Sequence, residues 1–333
     1  MSYEQELGFI CSLNINEYKK AESIYKLMLD HKITQSDVTE FLFKNNLKSV
    51  AEAFFTFEEV GIVKRKINAV SGSDWTEEYI KYFNVIFEDV IKSDEICQIV
   101  DISKKANKFI EDNKDLNDLS FAGRKGNNLA KAARTDFQRK VMFVLLNPSK
   151  ESCVDVMMQT FLENILDERF LVEQRYKMQL TISNIKKEAT ADVVAILFPQ
   201  FYIGVIVVED KPENTSETEY QHLNTEAQIV SEGIAVAQQE QWPSNTAVYM
   251  LRVMKTNVSI YKANFDEEFI RSVKNGTRRI QPFVIKRFAP TPSIAIGRSR
   301  PGFDIVDPSD REMLVKIIYS ISKYIVDLIP DTE

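Results

Sequence analysis

Asp192, Glu209 and Lys211 have the types and spacing that metal-assisted hydrolysis needs. They lie in ADVVAILFPQFYIGVIVVEDKPE, two apolar runs separated by Pro199-Gln200, which predicts a hairpin whose second strand ends at Glu209-Asp210-Lys211. Side chains alternate along a strand, so Glu209 and Lys211 are expected on one face and Asp210 on the other. Asp192 opens the neighbouring strand, and antiparallel pairing sets the start of one strand beside the end of the next. Two carboxylates and one ammonium group are thereby expected at one end of a sheet. Two carboxylates suit Mg2+ or Mn2+, hard cations that prefer oxygen. Such an ion polarises a phosphoryl oxygen and lowers the pKa of a bound water. Lys211 would orient that water, help to deprotonate it, or offset the charge that gathers in the transition state. A bare E-x-K triplet at a strand end also describes a solvent-facing salt bridge; the preceding Asp192 on a paired strand sharpens the reading.

The elements expected around these residues run helix, three strands, helix, two strands. An apolar period over 152–175 predicts a helix, followed by strands at Lys177–Ile182, Asp192–Phe198 and Phe201–Glu209. A helix over Thr225–Glu240 and strands at Ala247–Val253 and Asn257–Lys262 come next, and an amphipathic helix over 311–328 closes the chain. Before them, residues 1–140 read as mostly helical. Helical spacing covers Glu17–His31, a capping box opens a helix at Ser49 with Gly61 as its stop, and a third helix after Asp74 carries Trp75, Tyr79, Tyr82, Phe83, Ile86 and Phe87. The polar stretch 111–128 reads as a linker, followed by a basic run from Arg124 to Lys140.

The pattern D-x16-E-D-K, in this order of elements, resembles the PD-(D/E)xK nuclease superfamily, which includes restriction endonucleases. More narrowly, VVEDK followed by EAQIVSEGIAVAQ and AVYMLRVMKTNVSIYKANF is similar to nuclease-like domains of fungal, protist, giant-virus and Crinkler-type proteins, over about residues 150–265. The resemblance implies an α/β fold, a restriction-endonuclease-like mixed sheet flanked by helices over 150–330, preceded by the helical part at 1–140. It implies Asp192 and Glu209 as ligands of Mg2+ or Mn2+, Lys211 as the catalytic lysine, and Gln228 on the following helix facing the site, with Glu232 one turn further on. It also implies a further acid on the first core helix, for which Glu163 and Glu173 are the candidates. Ala191 stands where the superfamily's name places proline.

Residues 271–300 contain Arg271, Lys274, Arg278, Arg279, Lys286, Arg287, Arg298 and Arg300 and no Asp or Glu, in a chain of net charge −7. Phosphate contacts require that asymmetry. The interleaved Phe283 and Phe288 would stack on bases, and the prolines and glycines of the segment predict an irregular arm. Nucleic acid, DNA or RNA, is the expected partner, with a protein partner for the helical N-terminal part if its aromatic helix is an exposed groove. Three scattered cysteines and two histidines exclude a disulfide framework, a Cys/His zinc site and a recognisable Ser-His-Asp triad. No apolar run reaches the ~18 residues of a membrane span, so an intracellular protein, cytoplasmic or nuclear, is expected. The alternative is a module on the same fold that binds nucleic acid or protein without cleaving, since fold alone does not establish activity.

Overall fold

In a computed structural model, the described residues are 3–13, 20, 23–24, 27, 35–47, 49–50, 67–90, 92–117, 133–147, 150–198, 202–209, 219–239, 242–243, 246–277, 281–288 and 302–328. Lys211, Arg278, Arg279, Arg298, Arg300, Gly61 and most of the expected linker lie outside them, and Glu209 is described in its backbone alone. The chain divides into two compact units, Met1–Ile67 and Asn68–Glu333. The described residues from Asn68 onward share a unit with the sheet.

The first unit contains helices α1 (Tyr3–Ser12) and α2 (Gln35–Lys44). Leu7, Ile24, Leu27, Val38, Leu42 and Val50 form its core.

The second unit is mixed α/β. Its elements are α3 (Glu77–Tyr82), β1 (Val85–Val90), α4 (Lys104–Asp112), α5 (Asp136–Leu146), α6 (Glu151–Ile165), β2 (Phe170–Ile182), β3 (Ile185–Leu197), β4 (Tyr202–Glu209), α7 (Glu219–Ala237), β5 (Val248–Met254), β6 (Asn257–Ala263), α8 (Glu267–Asn275), β7 (Phe283–Phe288), β8 (Phe303–Asp304) and α9 (Pro308–Leu328). The eight-stranded sheet has the order β1-β7-β6-β5-β4-β3-β2, with β8 pairing off that path to β6. β3 is antiparallel to both β2 and β4, whereas β4 and β5 are parallel and joined through α7. β5 is buried at every position, which explains why VYMLRVM reads as a near-continuous apolar run.

Local chemistry fixes the hairpin that carries Asp192. Its turn is Ser183-Asn184, both with positive φ, as the tight turn of a twisted hairpin requires. The turn docks on the end of α8, with Ser183 N–H donating to Val273 O at 3.1 Å and Asn184 N–H to Lys274 O. Gly276 ends α8 in the left-handed region at φ 65°, where a Cβ would come within 2.1 Å of Ser183 Oγ. On α7, a Cβ at Gly233 would meet Met250 Sδ at 2.6 Å, so the missing side chain lets α7 lie against β5.

Three expectations are corrected. The helix expected over 152–175 ends at Ile165, and Phe170 begins a strand. Apolar residues at three- and four-residue steps run on through Phe170 because the strand's buried positions happen to fall in phase with them. The aromatic helix after Asp74 is one short helix, Glu77–Tyr82, followed by strand β1. Asn84, at φ 52°, turns the chain between them, and Val85-Ile86-Phe87 has the β-branched and aromatic character of a strand. Trp75 is 2% exposed and stacks on Tyr79 and Phe83, so this is core and not an open groove. Of the irregular arm expected over 271–300, the described residues are mostly regular: 271–275 end α8 and 283–288 form β7. Among the described residues no helix is long and apolar enough to cross a membrane.

Candidate active site

Asp192 lies within β3 and not at its start, and it is 7% exposed. Its Oδ1 accepts from Arg175 Nη1 at 2.7 Å. The same guanidinium donates from Nη2 to Asp155 Oδ2 at 2.8 Å. Asp155 is on α6 and Arg175 on β2, so one arginine joins the helix to two strands. The acids are buried, with side chains 3% and 9% exposed, whereas the arginine is 52% exposed. Arg175 has φ 53°, a left-handed conformation unusual for a side-chain-bearing residue. It falls where the β2–β3 ladder skips a pair: Gln174 pairs with Val193 and Tyr176 with Ala191.

Helix α7 brings Gln228 and Glu232. Gln228 Nε2 donates to Glu232 Oε1 at 2.9 Å, a contact between residues four apart on one helix. Glu232 is fully buried, and among the described residues its Oε2 has no hydrogen-bond partner. Burial pushes its carboxyl well above the usual carboxylate range; Gln228 offsets part of that, and the charge of Asp192 adds to it. Asp192 and Glu232 are therefore electrostatic neighbours.

Glu209 ends β4, paired with Val253 of β5. Toward this end the last β3–β4 pair is Val193 with Val207, so Asp192 stands one step beyond it and Glu209 two. The hairpin thus has Asp192 one residue out of step with Glu209, where the simplest pairing would set them side by side. Neither expected helix acid reaches the cluster by a described contact. Glu163 is exposed and accepts from Gln159, and Glu173 is half-buried opposite Val194. The acid that α6 supplies is Asp155, which sequence reasoning passed over together with Arg175. Among the described residues, no three of His, Cys, Asp and Glu come together closely enough to hold a metal ion.

The basic residues of the expected nucleic-acid surface separate into two kinds. Arg271 is exposed, at the 4.0 Å limit of an ion pair with Glu267, and Lys274 is in the last turn of α8. Arg287 is instead consumed by the fold: it donates from Nε and Nη2 to Asp89 at 2.5 and 2.9 Å, and from Nη1 to Glu226 at 2.5 Å. Tyr261 also donates to Glu226, at 3.0 Å. Lys286 lies 3.8 Å from Glu95. Phe283 and Phe288 are not available to bases. Phe283 is 4% exposed and stacks on Phe265 and Phe269; Phe288 is 6% exposed and packs edge-on against Phe303.

No protein-family model matches the sequence, and no curated protein matches it either.

Proposed function

We propose that the second unit is a metal-dependent nuclease that hydrolyses phosphodiester bonds of DNA or RNA, with Asp192, Glu209 and Lys211 as its catalytic core. The observation that carries this reading is the setting of Asp192: a buried carboxylate within β3, electrostatically coupled to the buried Glu232 of α7, the helix that follows the Glu209–Lys211 strand end. The order α6-β2-β3-β4-α7-β5 supports a restriction-endonuclease-like core, with β3 antiparallel to its neighbours and β4 parallel to β5.

The donor chemistry fits a hard divalent cation. Asp192 supplies carboxylate oxygen, and Glu232 Oε2 is a buried polar atom with no hydrogen-bond partner among the described residues. Asp192 and Glu209 would hold Mg2+ or Mn2+, which polarises the phosphoryl oxygen and acidifies a bound water. The chain's own groups do the rest. With no cation bound, Arg175 holds the Asp192 carboxylate, and Gln228 fixes the orientation of Glu232. The Lys211 ammonium orients the attacking water and offsets the extra negative charge of the transition state. Of the expected phosphate-contacting residues that are described, Arg271 and Lys274 are the ones the fold does not consume. One observation favours a second reading, a module that binds without cleaving: the arginine already seated on Asp192 leaves that carboxylate partly satisfied without a metal.

The test is cleavage of single- and double-stranded DNA and RNA in Mg2+, Mn2+ or EDTA by wild type and Lys211→Ala. Metal-dependent cleavage that disappears in the variant is expected. Absence of both cleavage and Mn2+ binding would leave only the binding module. Glu209→Gln and Asp210→Asn, run alongside, read the odd register. The expected loss, on the order of a thousandfold, or ~4 kcal/mol of transition-state stabilisation, falls on the acid that serves the metal.

A further inference from the structure

We infer that Arg175 is a tethered counter-ion: it occupies the acid cluster when no divalent cation is bound, and it must give up Asp192 for the cation to bind fully. The inference rests on the metal-site reading above and names how that site is held closed.

Three observations carry it. First, the guanidinium spends two N–H groups on two different acids, Asp155 at 2.8 Å and Asp192 at 2.7 Å. Asp192 Oδ1 is thereby engaged by a cationic donor that competes with a metal for it. Second, the exposures run opposite to those of an ordinary surface ion pair. Here the acids are almost fully buried and the cation is half in solvent, so the mobile partner is the positive one. Arg175 is on β2, the last strand of the sheet order, and its side chain can leave without unpacking a core. Third, the fully buried Glu232 beside Asp192 keeps an oxygen with no hydrogen-bond partner among the described residues. One arginine therefore leaves a buried acidic oxygen near Asp192 unanswered among the described residues.

The backbone points the same way. Arg175 holds a left-handed conformation at a skipped rung of the ladder. Side-chain-bearing residues keep such conformations where the surroundings over-determine them, often at functional sites.

Electrostatics sets the sign. A fixed positive charge a few ångströms from a dication opposes its binding, even where solvent screens the pair. Neutralising the arginine should therefore tighten Mn2+ binding by about tenfold or more. Without metal, the same change removes the arginine's two hydrogen bonds from two buried carboxylates, and the fold should weaken.

The experiment is calorimetric titration of full-length wild type and Arg175→Gln with Mn2+, with thermal melts of both in EDTA and in excess Mn2+. The expected result is tighter Mn2+ binding by the variant, a lower melting temperature in EDTA, and a gap that narrows or closes in Mn2+. Arg175→Lys, which keeps the charge but not the two-pronged reach, should bind Mn2+ between the two and serves if the glutamine variant does not fold. Equal or weaker Mn2+ binding by the variants, with wild type binding well, would make Arg175 a support for the metal; the counter-ion idea then falls and the nuclease reading stands. No Mn2+ binding by any of them would overturn the metal site itself, and this inference with it.

Discussion

Two arginines each bridge two acids in this unit, and the bridges are built in opposite senses. Arg287 is the more buried partner of its exposed acid: its side chain is 27% exposed, Asp89 is 68% exposed, and only Glu226, at 4%, is deeper. Both carboxylates are held, Tyr261 adds a further donor, and the hydrogen bonds from Arg287 keep the Asp89 carboxyl below its usual range. Around Arg175 the acids are inside, the arginine is outside, and a neighbouring carboxylate oxygen has no hydrogen-bond partner among the described residues. A buried ion network whose hydrogen bonds are complete resists change, because breaking it strands a charge. One that is covered by an exchangeable cation and left incomplete is suited to take another ligand. The contrast separates a structural clasp from a site, although both look alike when only ion pairs are counted.

The sharpest way to break the contrast is Arg287→Met. It strands Glu226 with little beyond the Tyr261 hydroxyl, and removing one partner of a buried pair costs ~3–5 kcal/mol. Urea unfolding should show that loss while Mn2+ affinity stays at the wild-type value; unchanged stability would mean the Arg287 network holds nothing together. Glu232→Gln is expected to act more weakly and in the other direction. A carboxyl with a raised folded-state pKa favours the folded chain most at low pH, and that advantage drains away as pH rises from the unfolded value toward the folded one. In EDTA the glutamine variant should therefore be more stable than wild type at pH 7, by about 1–2 kcal/mol, with the gap shrinking toward pH 4. Equal pH profiles would show that Glu232 is not held neutral. The smallest effects are expected on α8. Arg271→Ala and Lys274→Ala should change stability by less than about 0.5 kcal/mol, and each should weaken nucleic-acid binding modestly and flatten its salt dependence. An unaltered salt slope would move the phosphate-contacting surface elsewhere.

What could be read in advance follows from how local each signal is. The runs that became β3, β4, β5 and β6 announce themselves because buried central strands are continuous apolar segments bounded by polar turns. α7 and α9 have clear helical periods. The strand β2 was half-hidden because its first residues extend the period of α6. Asp155 has no signal in the sequence: in ESCVDVMMQT it is an ordinary polar residue on an amphipathic helix, and its contact with Arg175 joins residues twenty apart. The basic character of 281–288 misled for the same reason. Lys286 and Arg287 meet Glu95 and Asp89 from the far end of the unit, and the phenylalanines beside them alternate into the core.

The pairing of β1 with β7 also has a consequence in time. Arg287 reaches Asp89 across 198 residues of chain, and the strands that carry them are register partners. At ~5–20 residues per second on the ribosome, β1 is complete roughly ten to forty seconds before the strand that will shield it exists. Its sequence, VIFEDV, has two acids that discourage other chains from annealing to it during that wait. Asp89, half of a clasp in the finished fold, thus also serves as a gatekeeper while the polypeptide is still being made.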